Sequence, residues 1–205
     1  MKKLIAYLLP LGLISLSLSG LTVAAGDAVA GKEKIEVCTA CHDPTGISIA
    51  PNYPHLAGQG EGYLTKQIKD IKSGERVVLE MTGMVEELTD RDIADISAFY
   101  ASQTAPTGQA EESSLAIAKQ LYHGGDVDKG LPACSSCHSP IGSGNAPARY
   151  PVLSGQSPQY IAKQLRDFRE GHRVNDGDTR IMRDIAEKLS NKQIDALASY
   201  ISGLR

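Results

Sequence analysis

The sequence contains the pentapeptide Cys38-Thr39-Ala40-Cys41-His42 and a second one, Cys134-Ser135-Ser136-Cys137-His138, and together they hold all four cysteines of the 205-residue chain. Two cysteines three positions apart, followed directly by a histidine, form the attachment motif of a c-type haem. In this pattern the two thiols bond to the two vinyl groups of the haem, and the imidazole reaches the iron. We therefore predict two covalently bound haem c groups, attached through Cys38 and Cys41 and through Cys134 and Cys137, with His42 and His138 as axial iron ligands.

Two other uses of paired cysteines fit this chain less well. A thioredoxin-like redox disulfide needs a strand before the motif, and no strand pattern precedes either pair. A zinc site made of four cysteines would leave both motif histidines unused. It would also have to bring together pairs that lie far apart in the chain.

The region around each motif is repeated. Residues 50–59 and 146–156 share Tyr, Pro, Leu, Gly and Gln in the same order, with one extra residue in the second copy. The match continues at a constant offset and resumes after a four-residue insertion near Asp176. The matched positions after the loop are Tyr63/Tyr160, Lys66/Lys163, Gln67/Gln164, Asp70/Asp167, Gly74/Gly171 and Arg76/Arg173. This internal duplication predicts two similar domains, residues 26–103 and 114–205, joined by a linker at 104–113.

Apolar spacing indicates helices in both copies, so we predict an all-α fold. Leu64, Ile68 and Ile71 fall on one helical face, and Ile93, Ile96 and Phe99 fall on another. No long run alternates with period two. The signals for helix ends are Ser157 before Pro158, Thr89 before Asp92, Ser190 before Gln193, and the glycines Gly74 and Gly171. Shorter helices are expected before each cysteine pair, around residues 28–37 and 115–122.

The repeat also selects the second axial ligand of each iron. Met81 aligns with Met182, whereas Met84 aligns with Ile185. We therefore predict Met81 and Met182 as iron ligands and Met84 as a core residue. The histidines outside the motifs have no histidine partner in the other copy: His55, His123 and His172.

Two pairs of repeated residues are candidates for the haem pocket. The carbonyl groups of Pro54 and Pro151 can accept a hydrogen bond from the axial histidine and fix its orientation. Leu56 and Leu153 would press on the haem ring. The alternative is that this loop has its shape for packing alone.

Arg76 and Arg173 also occupy repeated positions, and the sequence leaves two interpretations open. They can pair with haem propionates, or they can be solvated surface arginines.

The N-terminus has the organisation of a secretory signal peptide, which we place at residues 1–25. Lys2 and Lys3 precede the apolar stretch 4–18, and small residues follow it. An uncleaved membrane anchor is the alternative, but Pro10 and Gly12 interrupt the stretch. The formal net charge of −3 becomes more negative when the two lysines are removed. An acidic exported chain of this kind argues against a nucleic-acid partner.

Taken together, these motifs resemble the dihaem cytochrome c4 family over essentially the whole mature chain. The resemblance is carried by the two haem motifs, Gly26-Asp27-Ala28, residues 50–54, residues 79–84 and residues 176–183. It implies two tandem class I cytochrome c domains about a pseudo-twofold axis, with their haem propionates close together at the interface. It further implies iron ligation by Met81 and Met182, a periplasmic location and a role in carrying electrons to a terminal oxidase.

Histidine–methionine ligation would fill both axial positions of each iron, which suits single-electron transfer rather than substrate turnover. We expect an electron carrier without catalysis, a monomer, with a membrane cytochrome complex as donor and a terminal oxidase as acceptor. The sequence leaves loose association with the membrane open. One alternative is the electron-accepting subunit of a flavocytochrome c sulfide dehydrogenase-type complex. A dihaem peroxidase would need an open iron position and a longer chain.

Overall fold

The structure is a computed structural model that describes residues 25–205. The predicted signal peptide, residues 1–25, lies outside the described residues except for Ala25. In the described part no helix is long and apolar enough to cross a membrane. The α-helices of residues 25–205 are α1 Ala28–Lys32, α2 Glu36–His42, α3 Glu61–Ser73, α4 Asp90–Ala101, α5 Leu115–Gly124, α6 Ser135–His138, α7 Pro158–Glu170, α8 Ile181–Ala186 and α9 Asn191–Ser202.

The prediction of an all-α fold is confirmed. Between residues 25 and 205 the only β pairing is in two isolated bridges, Asp126 with Leu131 and Asn145 with Tyr150. Short 3₁₀ helices lie at Leu79–Met81 and Glu112–Ser114. Each domain has a 13-residue helix, α3 or α7, and a 12-residue C-terminal helix, α4 or α9.

The predicted helix ends are found where the sequence indicates them. Thr89 and Ser190 both form capping boxes at the starts of α4 and α9. Ser157 caps α7, with Pro158 as its first residue. The helices α3 and α7 end at Gly74 and Gly171 in the left-handed conformation, which glycine adopts at little cost.

The predicted helix over residues 28–37 is wrong in one respect, because it is split in two. Helix α1 ends at Lys32, and α2 begins at Glu36 and carries the first motif itself. Before the break, α1 crosses α4 so closely that a Cβ atom on Gly31 would lie 2.0 Å from the carbonyl oxygen of Asp95. In the second domain α5 packs on α9 through the buried Ala118, and a turn separates α5 from α6.

Each domain has its own apolar core behind the motif helix. The first core contains Ile35, Leu64, Ile96, Phe99 and Tyr100. The second is larger: Leu121, Tyr122, Leu131, Ile161, Ala162, Leu165, Leu189, Ile194, Leu197, Ala198 and Ile201. The apolar faces predicted for the long helices therefore point into these cores.

The two domains contact each other through a reciprocal set of hydrogen bonds. The side-chain amide of Gln59 donates to the carbonyl of Val152 over 2.9 Å and accepts from its N–H over 2.8 Å. The amide of Gln156 does the same with His55, with both distances at 2.9 Å. Since Gln59 matches Gln156 and His55 matches Val152 in the repeat, this exchange follows the pseudo-twofold symmetry.

The segment between the domains is packed on both of them. The carbonyl oxygen of Pro106 lies 2.0 Å from where a Cβ on Gly155 would be, and Ala105 crowds Gly58 in the same way. The backbone N–H of Glu111 donates to the Ser199 hydroxyl over 2.8 Å. These contacts fix the segment against both domains.

Candidate haem sites

A continuous cavity of about 1420 Å³ runs through both domains. Its walls come from α2, α3 and the loop before Met81 in the first domain, and from the matching elements in the second. The cavity wall includes each residue that we singled out for haem binding: Cys38, Cys41, His42, Pro54, Leu56, Met81, Cys134, Cys137, His138, Pro151, Leu153 and Met182.

The two motif histidines are buried and held in one orientation. Nδ1 of His42 lies 3.0 Å from the carbonyl oxygen of Pro54, and Nδ1 of His138 lies 3.1 Å from that of Pro151. Because a carbonyl can only accept, Nδ1 must carry the proton in both rings. Nε2 then carries a free lone pair, and this is the nitrogen that can bind iron.

Burial also keeps these imidazoles neutral. His42 is 7% exposed and His138 is 8% exposed. Burial lowers the pKa of His42 and of His138, which the hydrogen bonds to Pro54 and Pro151 only partly oppose. A neutral imidazole is what a metal ligand requires.

The chain reverses direction directly after each motif. Asp43 and Ser139 both have positive φ angles, 62° and 70°, and end the motif helices. Asp43 tolerates this because its carboxylate accepts from the N–H and the hydroxyl of Thr45, over 2.8 and 2.7 Å. The reversal carries the following loop back over the histidine, where the proline carbonyl meets Nδ1.

The four cysteines are half-buried and none is in a disulfide. Burial raises the pKa of the Cys38 thiol and raises that of the Cys134 thiol to about 11, because both face an apolar cavity. Thiols that face an apolar cavity beside a neutral histidine fit thioether attachment of a haem. Among residues 25–205 no group of three or more His, Cys, Asp or Glu side chains could hold a metal ion, so the zinc alternative has no site there.

The methionines differ in their surroundings. Met81 ends a 3₁₀ turn, and Met182 is the second residue of α8 and packs on the second core. Both are half-buried in the cavity wall. The expectation that Met84 is a core residue is wrong, since it is 46% exposed. Gly83, at φ 81°, turns the chain so that Met84 reaches the cavity edge instead.

Arg76 and Arg173 are not solvated surface residues. Arg76 donates across the interface to the hydroxyl of Tyr160 over 2.9 Å and to the side-chain oxygen of Gln164 over 3.0 Å. It also donates to Gln67 in its own domain, over 2.8 Å. Arg76, which follows the end of α3, therefore links α3 to α7 of the other domain.

Arg173 makes the same contacts in the opposite direction. It donates to Tyr63 and Gln67 of the first domain over 3.2 and 2.9 Å, and to Gln164 over 2.6 Å. Its side chain is 8% exposed. The alignment of the two copies contained a signal for this network, because Tyr63/Tyr160, Gln67/Gln164 and Arg76/Arg173 all recur at one offset. Spacing alone does not reveal that these six residues meet across an interface.

The two guanidinium groups favour an anion in the cavity. Within residues 25–205 neither Arg76 nor Arg173 has a carboxylate within 4 Å, and both donate to neutral amides and phenols, while the Asp70 carboxylate acts on Arg76 from further away. Buried cations with neutral partners are costly unless an anion lies near them. Haem propionates would supply that charge, so this region fits the group that the motifs attach.

These features define a class: a protein with two helical domains that each bind a haem c covalently. Comparison with known proteins agrees with this class. The cytochrome c family model matches residues 23–104 and again residues 115–205.

Relatives of known identity cover most or all of the chain. Cytochrome c4 of Pseudomonas aeruginosa is 55% identical over 204 residues, which is 100% of both chains. The crystal structure of reduced recombinant cytochrome c4 from Pseudomonas stutzeri has a TM-score of 0.87 and 54% identity, covering 88% of this chain and 100% of that one. The thiosulfate dehydrogenase electron acceptor of Stutzerimonas stutzeri is 33% identical over 82% of this chain and 78% of its own.

The chain belongs to the cytochrome c4 family. The predicted fold, two tandem cytochrome c domains, is confirmed. So is the cofactor prediction: the chain carries two covalently bound haem c groups, one on each cysteine pair. It is a dihaem electron-transfer protein.

Proposed function

We propose that this chain shuttles single electrons in the periplasm, from a membrane cytochrome complex to a terminal oxidase, without catalysis of its own. In this proposal His42 and Met81 ligate the first iron, and His138 and Met182 ligate the second. The observation that carries it is that each motif histidine shares one cavity with a methionine at matching positions of the two copies. The haem iron supplies the one-electron couple when the group is bound.

The residues of the chain prepare each site for electron transfer. The Pro54 and Pro151 carbonyls fix the histidine rings, so the ligand geometry stays constant when the iron changes charge. Leu56 and Leu153 contribute apolar wall to the cavity and help exclude water. A thioether ligand favours ferrous iron and raises the reduction potential. With a histidine and a methionine bound to each iron, no coordination position would be open to a substrate.

The interface supports electron exchange within one molecule. Arg76 and Arg173 reach across it from opposite sides and would hold the propionates of both groups near each other. Propionates held together in this way would let the protein accept an electron at one domain and release it from the other. The resemblance to cytochrome c4 and the sequence of residues 1–25 support a periplasmic location.

A redox titration of the exported protein, followed by its visible spectrum, tests the proposal. We expect two covalent haems, an oxidised spectrum with the methionine–iron charge-transfer band, and rapid oxidation of the reduced protein by membranes that contain a terminal oxidase. Rapid turnover of added peroxide would contradict a carrier with closed iron positions. A spectrum without the charge-transfer band would contradict the methionine ligands.

A second candidate function is the electron-accepting subunit of a sulfur-compound dehydrogenase. The similarity to the thiosulfate dehydrogenase electron acceptor favours it over the sulfide dehydrogenase expected as the alternative from the sequence. Native purification separates the two functions. A dehydrogenase that copurifies in fixed ratio and reduces the chain with thiosulfate would favour this candidate, whereas a free dihaem protein would favour the shuttle.

A further inference from the structure

Three buried side-chain atoms of the first domain have no hydrogen-bond partner. Among residues 25–205, the buried side-chain nitrogen and oxygen atoms without a partner are Nδ1 of His55, Oγ of Ser97 and the hydroxyl oxygen of Tyr100. All three residues contribute to the wall of the haem cavity. Each of these atoms exposes less than 1 Å², so water does not reach it. A buried polar group without a partner is costly, and in a native protein it calls for a specific explanation.

The second copy has an apolar residue at each of the three matching positions. The matched pairs are His55/Val152, Ser97/Ala198 and Tyr100/Ile201. Helices α4 and α9 begin with the same kind of capping box and have 12 residues each, so the matches on them need no gap. Ala198 and Ile201 are buried and belong to the second core. Within the described part of the chain, the unpaired polar atoms are therefore confined to one of two otherwise similar sites.

A buried tyrosine beside the first cysteine of each motif shows the same difference. Tyr100 belongs to the core cluster against which Cys38 packs, and Tyr122 belongs to the cluster against which Cys134 packs. The Tyr122 hydroxyl donates to the carbonyl of Ser139 over 2.8 Å, so its orientation is fixed. The Tyr100 hydroxyl has no acceptor among residues 25–205, and its O–H bond remains free to turn.

An unpaired hydroxyl is a dipole that can respond to the charge of a nearby iron. The ferric state carries one more positive charge than the ferrous state, and polar surroundings stabilise the more highly charged state. The polarity of the groups around a haem is one of the properties that set its reduction potential. A hydroxyl that is bonded to a carbonyl cannot reorient in this way, and a hydrocarbon side chain has no such dipole. The unpaired hydroxyls therefore favour the ferric state of the first iron.

We propose that Ser97 and Tyr100 lower the reduction potential of the first haem below the value it would have with the alanine and isoleucine of the second copy. This inference rests on the proposed function, because it concerns the one-electron couple of that carrier. One electron enters or leaves the iron, no bond is made or broken, and no proton moves. The two side chains change only the difference in free energy between the ferric and ferrous states. Their burial without a partner is then explained by a redox role.

The test compares two double variants of the haem-loaded full chain that keep the shape and the net charge of the protein. Ser97→Ala with Tyr100→Phe removes the two unpaired hydroxyls. Ser102→Ala with Tyr122→Phe is the matched control, because it removes two hydroxyls that donate to backbone carbonyls. Neither Ser102 nor Tyr122 lines the cavity. Since no charge is changed, the different surface charges of the two domains do not contribute to the comparison.

The measured quantity is the ratio of ferric first haem to ferric second haem in the half-reduced protein. It is obtained at pH 8 from the NMR shifts of the haem methyl groups, assigned through their contacts with each domain. At this pH His55 is neutral, because burial lowers its pKa. Removal of the unpaired hydroxyls should lower the ratio about threefold, which is about 28 mV at 59 mV per tenfold change for a one-electron couple. The control should leave the ratio near its wild-type value.

Stability gives an independent readout, because removal of an unpaired hydroxyl breaks no hydrogen bond. Tyr100→Phe should leave the denaturation midpoint unchanged or raise it, whereas Tyr122→Phe should lower it. If the double variant does not incorporate haem, each single variant should show a smaller change of the ratio in the same direction.

Three results would overturn the role of the two hydroxyls. They are an unchanged ratio in the Ser97 and Tyr100 variants, an equal change in the control, and a loss of stability in Tyr100→Phe as large as that in Tyr122→Phe. A wild-type protein that membranes with a terminal oxidase fail to oxidise would instead contradict the proposed function, and the ratio would still report the effect of the hydroxyls.

Discussion

At the scale of single residues, the choice between Met81 and Met84 can be tested by a pair of variants. Both side chains line the cavity, but only Met81 has a methionine counterpart in the second copy. Met81→Ala should remove about half of the methionine–iron charge-transfer band, because one of two sites loses its thioether, and should lower the potential of that site. Oxidised spectra and a redox titration measure both effects.

Met84→Ala is the matched control for that variant. Its side chain is 46% exposed, so truncation should leave the band and both potentials unchanged. A full band in the Met81 variant together with a halved band in the Met84 variant would show that the two ligand roles are the reverse of those proposed.

At the scale of elements, the contact of α1 with α4 depends on Gly31. A Cβ atom at this position would lie 2.0 Å from the Asp95 carbonyl oxygen, which is backbone and cannot move aside. Gly31→Ala should therefore destabilise the first domain by about 1–3 kcal/mol through overpacking. Denaturant unfolding followed by circular dichroism measures it. Gly124→Ala at the end of α5 meets nothing within 4 Å and should have little effect; an equal loss in both variants would refute the packing argument.

The same helix pair carries a pH dependence. The buried Asp95 carboxylate accepts from the Lys34 ammonium and the Asp27 N–H, each over 2.8 Å, and pairs with Arg91. The hydrogen bond from Lys34, followed by that from Asp27, holds the pKa of Asp95 below its usual range. A group whose folded pKa is depressed stabilises the fold above its unfolded pKa, and this contribution is lost as the pH falls through the folded value.

Asp95→Asn should therefore make the protein less stable at pH 7, with the difference from the wild type shrinking as the pH falls below about 4. Unfolding midpoints measured from pH 7 to pH 2 check this. Asp195→Asn is the control, because that carboxylate is 61% exposed and, among residues 25–205, pairs only with Arg166. A difference from the wild type that is constant over the whole pH range would show that Asp95 acts through shape and not through charge.

Element ends and core faces were predictable because each depends on a few neighbouring residues. Ser157 with Pro158 and Thr89 with Asp92 identify helix starts without knowledge of the rest of the fold. The split between α1 and α2 was not predictable, since residues 33–35 contain no glycine or proline that would mark the end of a helix. The exposure of Met84 could not be predicted from the alignment. Its aligned partner Ile185 lies in an α-helix and packs on the second core, whereas Met84 follows a turn at Gly83 and has a different backbone conformation.

At the scale of the whole molecule, the repeat predicted two domains but not the surface by which they meet. Arg76 and Arg173 illustrate the gap. Their recurrence was visible in the sequence, but an arginine can recur because it is exposed at the surface of both copies or because it lies at an interface. Only the placement of α3 against α7 brings each guanidinium to a tyrosine and a glutamine of the other domain.

The reciprocal glutamines predict how firmly the domains are coupled. Gln59 and Gln156 are buried, and each satisfies a backbone N–H and a carbonyl of the other domain. Replacing either with Leu should cost about 1–3 kcal/mol for the groups left without a partner. In the double variant we expect calorimetry to resolve two thermal transitions, one per domain.

Gln103→Leu is the control for these variants, because the Gln103 amide donates only within its own domain, to Phe99 and Ser102. It should leave a single transition. Two transitions in this control, or one in the double variant, would mean that other contacts hold the domains together.

The exchange of Gln59 with Val152 and of Gln156 with His55 has a consequence for how such a molecule can arise. An interface in which each side offers the same groups to the other is the isologous kind that symmetric homodimers use. A single-domain ancestor with this glutamine and this loop could pair with its own copy. Gene fusion through residues 104–113 would then turn a concentration-dependent dimer into a permanent one. Once joined, the two halves were free to diverge, and one of them gained the turn at residues 125–131.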